Sequence, residues 1–237
     1  MEEGMYSGNN DFLPYYLQQN EMSKKVIKED NLPEEINCIG GVDVAYNELK
    51  QKMIGAIVVL NSKTFEIMEE AYHEMNITFP YVPGLFSFRE IPPLIEAYNK
   101  LKAKPEIIIC DGHGIAHPKK IGMATHLGIE LNIPTIGCAK NRLVGIWQKE
   151  KLGTKRGSMV SLNWDGEEVG KVLRTQDKIK PVFVSIGHMI SLESATSWVL
   201  KLCDKYRLPE TTRISDRLVN RLMKDRTEIK FLDKDKE

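Results

Sequence analysis

Two acids stand where a soluble chain seldom leaves them. Asp43 sits inside GGVDVAY (40–46), and Asp111 ends EIIICD (106–111). Side chains alternate along a strand, so Val42 and Val44 point to the face opposite Asp43. An acid within a central strand is costly to bury unless something neutralises it, and a lone Asp there would be read as salt-bridged or turn-facing. Asp111 reverses that preference, because it closes an apolar run at the carboxyl edge of its strand, where open α/β sheets place their ligands. If the two strands are neighbours, the carboxylates meet. Converging acids without balancing Arg or Lys raise one another's pKa or hold a divalent cation. An all-oxygen set favours Mg²⁺ or Mn²⁺, which keep waters and engage phosphate oxygens. Glu90 and Asp216, each from a helix, are the candidates to complete the site.

Two loops lie near these acids in sequence. In FPYVPGLFSFRE (79–90), Pro80, Pro83 and Gly84 frame Tyr81, and the segment ends on Glu90. By itself PYVP is an extended surface turn with a half-buried Tyr. In DGHGIAHPKK (111–120), two glycines let the backbone approach a ligand, with His113 and His117 on the same loop. The loop is neither a G-x-G-x-x-G fingerprint nor a P-loop, which ranks a small-molecule phosphotransferase last. Zinc on His113 and His117 lacks a third ligand at suitable spacing. His73 and His188 lie in strands and read as structural.

The elements that must position these residues follow from periodicity. Segments 38–46, 52–60 and 65–77 read as consecutive strands, an antiparallel meander. Ile91, Leu94, Ile95, Tyr98 and Leu101 keep helical spacing, with Pro92 and Pro93 expected in the first turn or just ahead of it. A strand over 106–111, a helix through Ile121–Leu131 and a strand over 133–140 form a parallel strand-helix-strand unit. Strands follow at 158–164, 167–175 and 180–188, with Asp165-Gly166 as a hairpin turn. Ser191 caps a helix to Arg207 that carries Leu192, Val199 and Tyr206 inward, and Thr211 or Thr212 caps a last helix to about Asp225. Near the start, Pro14 to about Glu29 forms a helix with Leu17, Val26 and Ile27 on its apolar side. The fold class is α/β: a mixed sheet, antiparallel meander then parallel strands, with helices on both faces. The expected organisation is a flexible N-terminus (1–12), one domain (13–227) and a charged C-terminal tail (228–237).

Composition excludes several classes. The 237 residues are 42% hydrophobic and 28% charged, a globular balance with enough chain for a full core. The apolar run Met53–Leu60 is too short to cross a bilayer, and MEEGMYSGNN lacks the marks of an export signal, so no membrane and a cytoplasmic location are expected. Cys38, Cys110, Cys138 and Cys203 are scattered, as buried reduced thiols are. The net charge of zero argues against coating nucleic acid by bulk electrostatics. Even so, Cys138–Lys180 holds ten Lys or Arg (Lys140, Arg142, Lys149, Lys151, Lys155, Arg156, Lys171, Arg174, Lys178 and Lys180) against five acids, either a solvated face or a phosphate-binding one.

Taken together, GGVDVAY, PYVPGLFSFRE, DGHGIAHPKKIGMATHLG and IPTIGCAKNRLVG resemble the endonuclease V family over about residues 36–220, four blocks in the family's order. The resemblance implies a ribonuclease H-like fold and a metal-dependent endonuclease of nucleic-acid repair or processing. Such an enzyme hydrolyses the second phosphodiester 3′ to deoxyinosine in DNA or inosine in RNA, with Mg²⁺, or Mn²⁺ in its place. It implies Asp43, Glu90 and Asp111 as catalytic and metal-binding acids, with Asp216 as an additional metal-site or supporting residue. It further implies Lys140 near the scissile phosphate and His117 near the metal-bound end of the substrate. PYVP, that is Pro80, Tyr81, Val82 and Pro83, resembles the wedge that fills the gap left by a displaced base. Gly84 and Phe86 would offer backbone groups to the base, and Gly112 and Leu143 would line its pocket. The expected partner is nucleic acid containing deaminated adenine, DNA or RNA, with the choice between them left open by the sequence, and the expected state is a monomer. The alternative is an inosine-binding module of the same fold without cleavage.

Overall fold

In the computed structural model, which describes residues 10–232, eight strands form one sheet in the order β3-β2-β1-β4-β5-β8-β7-β6. The meander is β1 (Cys38–Asn47), β2 (Lys52–Asn61) and β3 (Ile67–Asn76), paired antiparallel. On its other side β1 pairs parallel with β4 (Ile107–Cys110), and β4 parallel with β5 (Thr135–Ala139). β6 (Met159–Trp164), β7 (Glu167–Leu173) and β8 (Val182–His188) complete the sheet, all antiparallel. The β6–β7 hairpin turns at Asp165 and Gly166, whose φ values of 52° and 76° are the left-handed pair that matches strand twist.

Both faces are covered, as the strand patterns require. Ile57 and Val59 of β2 join Val42, Ile108 and Cys110 beneath α2 (Phe86–Lys100) and α3 (Met123–Leu131). The alternate residues Ala56, Val58 and Leu60 pack on Ile214, Leu218 and Val219 of α5 (Glu210–Leu232). Ile107 and Ile109 share that second face with Ala195, Val199 and Leu202 of α4 (Leu192–Leu202). β4 is therefore apolar at every position because neither of its faces meets water. Among the described residues no helix is long and apolar enough to cross a membrane.

Four local expectations are corrected. α2 starts at Phe86, so Pro92 and Pro93 lie inside the helix rather than in its first turn. Each removes a backbone donor, a loss confined to the carbonyls of Phe88 and Arg89. α1 spans Leu13–Ser23 and buries Gln19 and Met22, while Leu17 and Ile27 are exposed. α4 ends at Leu202 because Arg156 takes the carbonyls of Leu200 and Cys203. Tyr206 lies beyond it, exposed, with the Arg213 guanidinium 3.4 Å from its ring centre. α5 begins at Glu210, and Thr212 bonds the Pro209 carbonyl from within the first turn instead of capping from outside.

At the chain ends, Asn10–Phe12 form a 3-10 turn and the rest of the expected N-terminal segment lies outside the described residues. At the other end the helix backbone continues to Leu232, and 233–237 lie outside.

Candidate nucleic-acid and metal site

Register brings the first two acids together. Val42 stands opposite Cys110 in the parallel β1–β4 pair, so Asp43 and Asp111 follow side by side where the ladder ends. Both turn to the α5 face, opposite Val42 and Cys110. α5 can lie against β1 there because residue 41 is glycine: a Cβ would fall 2.4 Å from the Thr211 carbonyl carbon. That close approach sets the exposed Asp216, one and a half turns on, beside the pair. Glu90 arrives from α2 on the opposite face and is 8% exposed.

The acids repel one another in poorly hydrated surroundings. Burial, then the charges of Asp111 and Asp216, push Asp43 up to about 7, against the Val44 backbone hydrogen bond and Lys140. Burial likewise pushes Glu90 up to about 8, helped by Asp43 and Asp111. The Tyr46 hydroxyl, donating to Glu90 Oε1 at 3.0 Å, opposes that rise. Lys140 is paired with Asp111; burial lowers its pKa, and Asp111 outweighs the burial and holds it raised.

As these side chains lie, no three His, Cys, Asp or Glu among the described residues enclose a common point that could hold an ion. Asp111 is occupied by Lys140 and Glu90 by Tyr46. The donor set nevertheless fits a hard divalent cation: it is all oxygen, and it gathers four carboxylates around one lysine, with Asp43 and Glu90 raised first by burial and then by neighbouring carboxylates.

On the other side of Asp111 opens a cleft of about 470 Å³. Tyr81, Pro83, Gly84 and Phe86 form one wall, Gly112 and His117 another, and Leu143 closes the rim; Glu90 and Asp111 also line it. Pro80 and Val82 belong to the loop but are not among its lining residues. Tyr81 is 68% exposed and meets the Phe86 ring edge-on at 5.6 Å. Gly84 has φ +82°, a conformation that favours glycine, and its carbonyl accepts from the buried Gln19 Nε2 at 2.7 Å. His117 is pushed down to about 4 by burial, then by His113, so its ring is neutral at pH 7. A second cleft, of about 240 Å³, is lined by Lys140 and Asp216 and shares Asp111 as a wall.

Several residues of this region escaped the sequence. Ser87 lines the cleft and is bonded to His126 Nδ1 at 2.9 Å; it precedes Glu90 by three positions, the spacing of one helix face. That signal was hidden by starting the helix at Ile91. The same face joins Phe86 to Glu90 at i and i+4, so one helix carries a cleft wall and an acid. Gln19 gave no signal at all.

The family model for endonuclease V matches residues 20–217. This chain belongs to the endonuclease V family. It is accordingly a nuclease, a hydrolase of phosphodiesters. Endonuclease V of Nostoc punctiforme is 45% identical over 202 residues, covering 85% of this chain and 90% of that one. The crystal structure of endonuclease V from Streptomyces avermitilis is 42% identical with TM-score 0.84, covering 89% of this chain and 92% of that one. The Ciona intestinalis enzyme, solved with a 24mer DNA containing an inosine followed by a ribo-adenosine, is 27% identical with TM-score 0.80, covering 92% and 99%. The ribonuclease H-like mixed sheet expected from the resemblance is the fold of this family.

Proposed function

We propose that this endonuclease hydrolyses the second phosphodiester 3′ to deoxyinosine in DNA, or to inosine in RNA, in nucleic-acid repair or processing. Mg²⁺ is the proposed resident ion, with Mn²⁺ able to replace it. The observation that carries this reading is that Asp111 is a wall common to two clefts, one apolar and large enough for a base, the other lined mostly by charged residues, Lys140 and Asp216 among them.

Asp43, Glu90 and Asp111 would hold the ion, with Asp216 at its edge. When bound, such an ion activates a water and stabilises charge on the attacking and leaving oxygens. Lys140 brings a positive charge beside Asp111 for a phosphate oxygen. His117, neutral, offers a hydrogen bond without adding charge. Tyr81 on its proline-stiffened loop stacks where the base has left the helix. Unstacking costs a few kcal/mol, least where pairing is already poor, and stacking on an aromatic returns about 1–3 kcal/mol. The loop, fixed by Gly84 and Gln19, loses little entropy on binding. In this reading the enzyme acts in the cytoplasm as a monomer with residues 13–227 as one domain; its free cysteines suit a reducing compartment.

Incubation with Mg²⁺ and a strand bearing one deoxyinosine should give one nick, mapped by product length to the second linkage on the 3′ side. Nicking at random positions would overturn the assignment. Tyr81→Ala should lower the preference for inosine over adenosine strands about tenfold while leaving the Mg²⁺ concentration for half-maximal cutting unchanged. An unaltered preference removes the wedge role. Competition between matched DNA and RNA inosine strands at stated salt decides the preferred sugar.

A further inference from the structure

The ten cations of Cys138–Lys180 divide into two kinds. Arg156 donates to the carbonyls of Thr175, Cys203 and Leu200, Arg174 to those of Gly153 and Ile179, and Arg142 to that of Gly145. Lys140, Lys155 and Lys171 pair with Asp111, Asp177 and Glu168. These six hold the fold or the acid site. Among the described residues, Lys149, Lys151, Lys178 and Lys180 make no ion pair or hydrogen bond through their side chains; of these four, Lys149 and Lys151 lie on the loop that follows Leu143, with Lys149 5.9 Å from the Trp147 ring centre.

Lys151 lines a groove of about 490 Å³ between the loop after β5 and the sheet's edge strand β6, together with Ile146, Trp147, Val160, Ser161 and Asn163, and Lys149 reaches it beside the Trp147 ring. Ile146 is 72% exposed yet rigidly held: its N–H donates to the Asn163 carbonyl at 2.8 Å, and its carbonyl accepts from the Asn163 N–H at 3.0 Å. Arg142 locks the same loop through the Gly145 carbonyl at 2.6 Å. Three residues before Ile146, Leu143 is 53% exposed and rims the base cleft. One rigid loop thus runs from the base cleft to the groove, carrying apolar side chains in water with two unpaired cations behind them.

We infer that this groove receives the nucleotides flanking the altered base, bases against Ile146 and Trp147 and phosphates against Lys149 and Lys151. Sequence-tolerant strand binding uses this pairing of apolar or aromatic platforms with cations. The proposal rests on the nuclease reading above, and the loop's continuity with the base cleft favours nucleic acid over a protein as the occupant.

The test compares the wild type with Lys149→Ala/Lys151→Ala and with Ile146→Ser on deoxyinosine strands with long flanks, and on strands shortened on the 5′ or the 3′ side. The wild type should lose about fivefold in KM when one particular flank is removed. The variants should show that raised KM already on the long strand, ignore removal of that flank, and keep kcat. The double variant's log–log salt slope of binding should be shallower by about 1.4, the value for two phosphates on a single strand. Variants that respond to both truncations as the wild type does, or an unchanged salt slope, overturn the groove. So does self-association of the wild type that Ile146→Ser abolishes while strand binding is unchanged, which would assign the face to a second copy of the chain. If the wild type cuts no deoxyinosine strand of any length, the nuclease reading falls instead, and the salt slope still decides the groove.

Discussion

The acid cluster at the ends of β1 and β4 and the basic segment from Lys149 to Lys180 carry opposite charges and use them in opposite ways. Asp43 and Glu90 lie in surroundings that disfavour their ionised forms, since burial and neighbouring carboxylates raise both. Arg156 and Arg174 lie where carbonyls already wait for them. An unbalanced charge weakens the fold and is explained by something it binds; a balanced one is explained by the fold. Partners, more than charge counts, separate the two roles.

The largest effect expected is on catalysis. Asp43→Ala and Asp111→Ala should each lower cleavage of a deoxyinosine strand by at least about a thousandfold, read as single-turnover rate at saturating Mg²⁺. Arg156→Ala should leave the rate per folded molecule unchanged. Cleavage surviving in both acid variants, or lost with Arg156, would break the contrast.

Stability should move the other way. The ordinary values of Asp43 and Glu90 are 3.8 and 4.5, and their folded values are about 7 and about 8. Stability from their protonated forms is fully present below about pH 4 and is lost as pH rises through 7 to 8. His117 and His126, lowered from 6.5 to about 4, act oppositely: the stability of their neutral burial is lost as pH falls from 6.5 through 4. Without divalent ions, Glu90→Gln should therefore be more stable than the wild type above about pH 8, by roughly 2 kcal/mol after allowance for relaxation, and lose that advantage near pH 4. Chemical denaturation in chelator at the two pH values measures it. A variant less stable at both would mean that Glu90 is already neutralised.

Arg156→Ala supplies the counterpart. Its guanidinium reaches the carbonyls of Thr175, Leu200 and Cys203 at 2.5, 2.6 and 2.7 Å, two of them at the end of α4. Its removal should cost about 2 kcal/mol in the same denaturation experiment, at any pH between about 6 and 9. A loss within error would place Arg156 with the unpaired lysines.

What the sequence revealed of these two regions differs for the same physical reason. The acids were legible because strand periodicity and the end of an apolar run are local, and register then had little freedom to separate Asp43 from Asp111. The arginines were not, because their partners are carbonyls distant along the chain, 47 residues away for the Arg156–Cys203 contact. Gln19 was hidden likewise: it occupies a buried helix position that pattern assigns to an apolar side chain, and its reason, the Gly84 carbonyl, lies 65 residues on. Pro92 and Pro93 misplaced the start of α2, since proline is a good boundary marker except where neighbouring packing holds the turn. Here Pro93 and Leu94 rest on β2, where a Cβ on Gly55 would fall 2.8 Å from the Pro93 carbonyl carbon.

Tyr46 tests the contrast within the acid cluster itself. Its hydroxyl donates to Glu90, and burial together with the adjacent carboxylate raises its own pKa, so it stays a donor across the working range. Arg89 stacks on its ring at 4.3 Å and pairs with Glu48 at 2.6 Å, which fixes the phenol without spending the arginine on Glu90. Tyr46→Phe keeps that packing and deletes only the donor. Glu90 should then ionise at higher pH, and the Mg²⁺ concentration for half-maximal cutting at pH 7 should rise about tenfold, the lower end for partners that orient a metal's ligands. The difference from wild type should shrink as pH rises, because alkali ionises Glu90 without help. A pH-independent loss would assign Tyr46 to packing, whereas a loss that fades with pH makes it the group that keeps an unbalanced acid available for its ion.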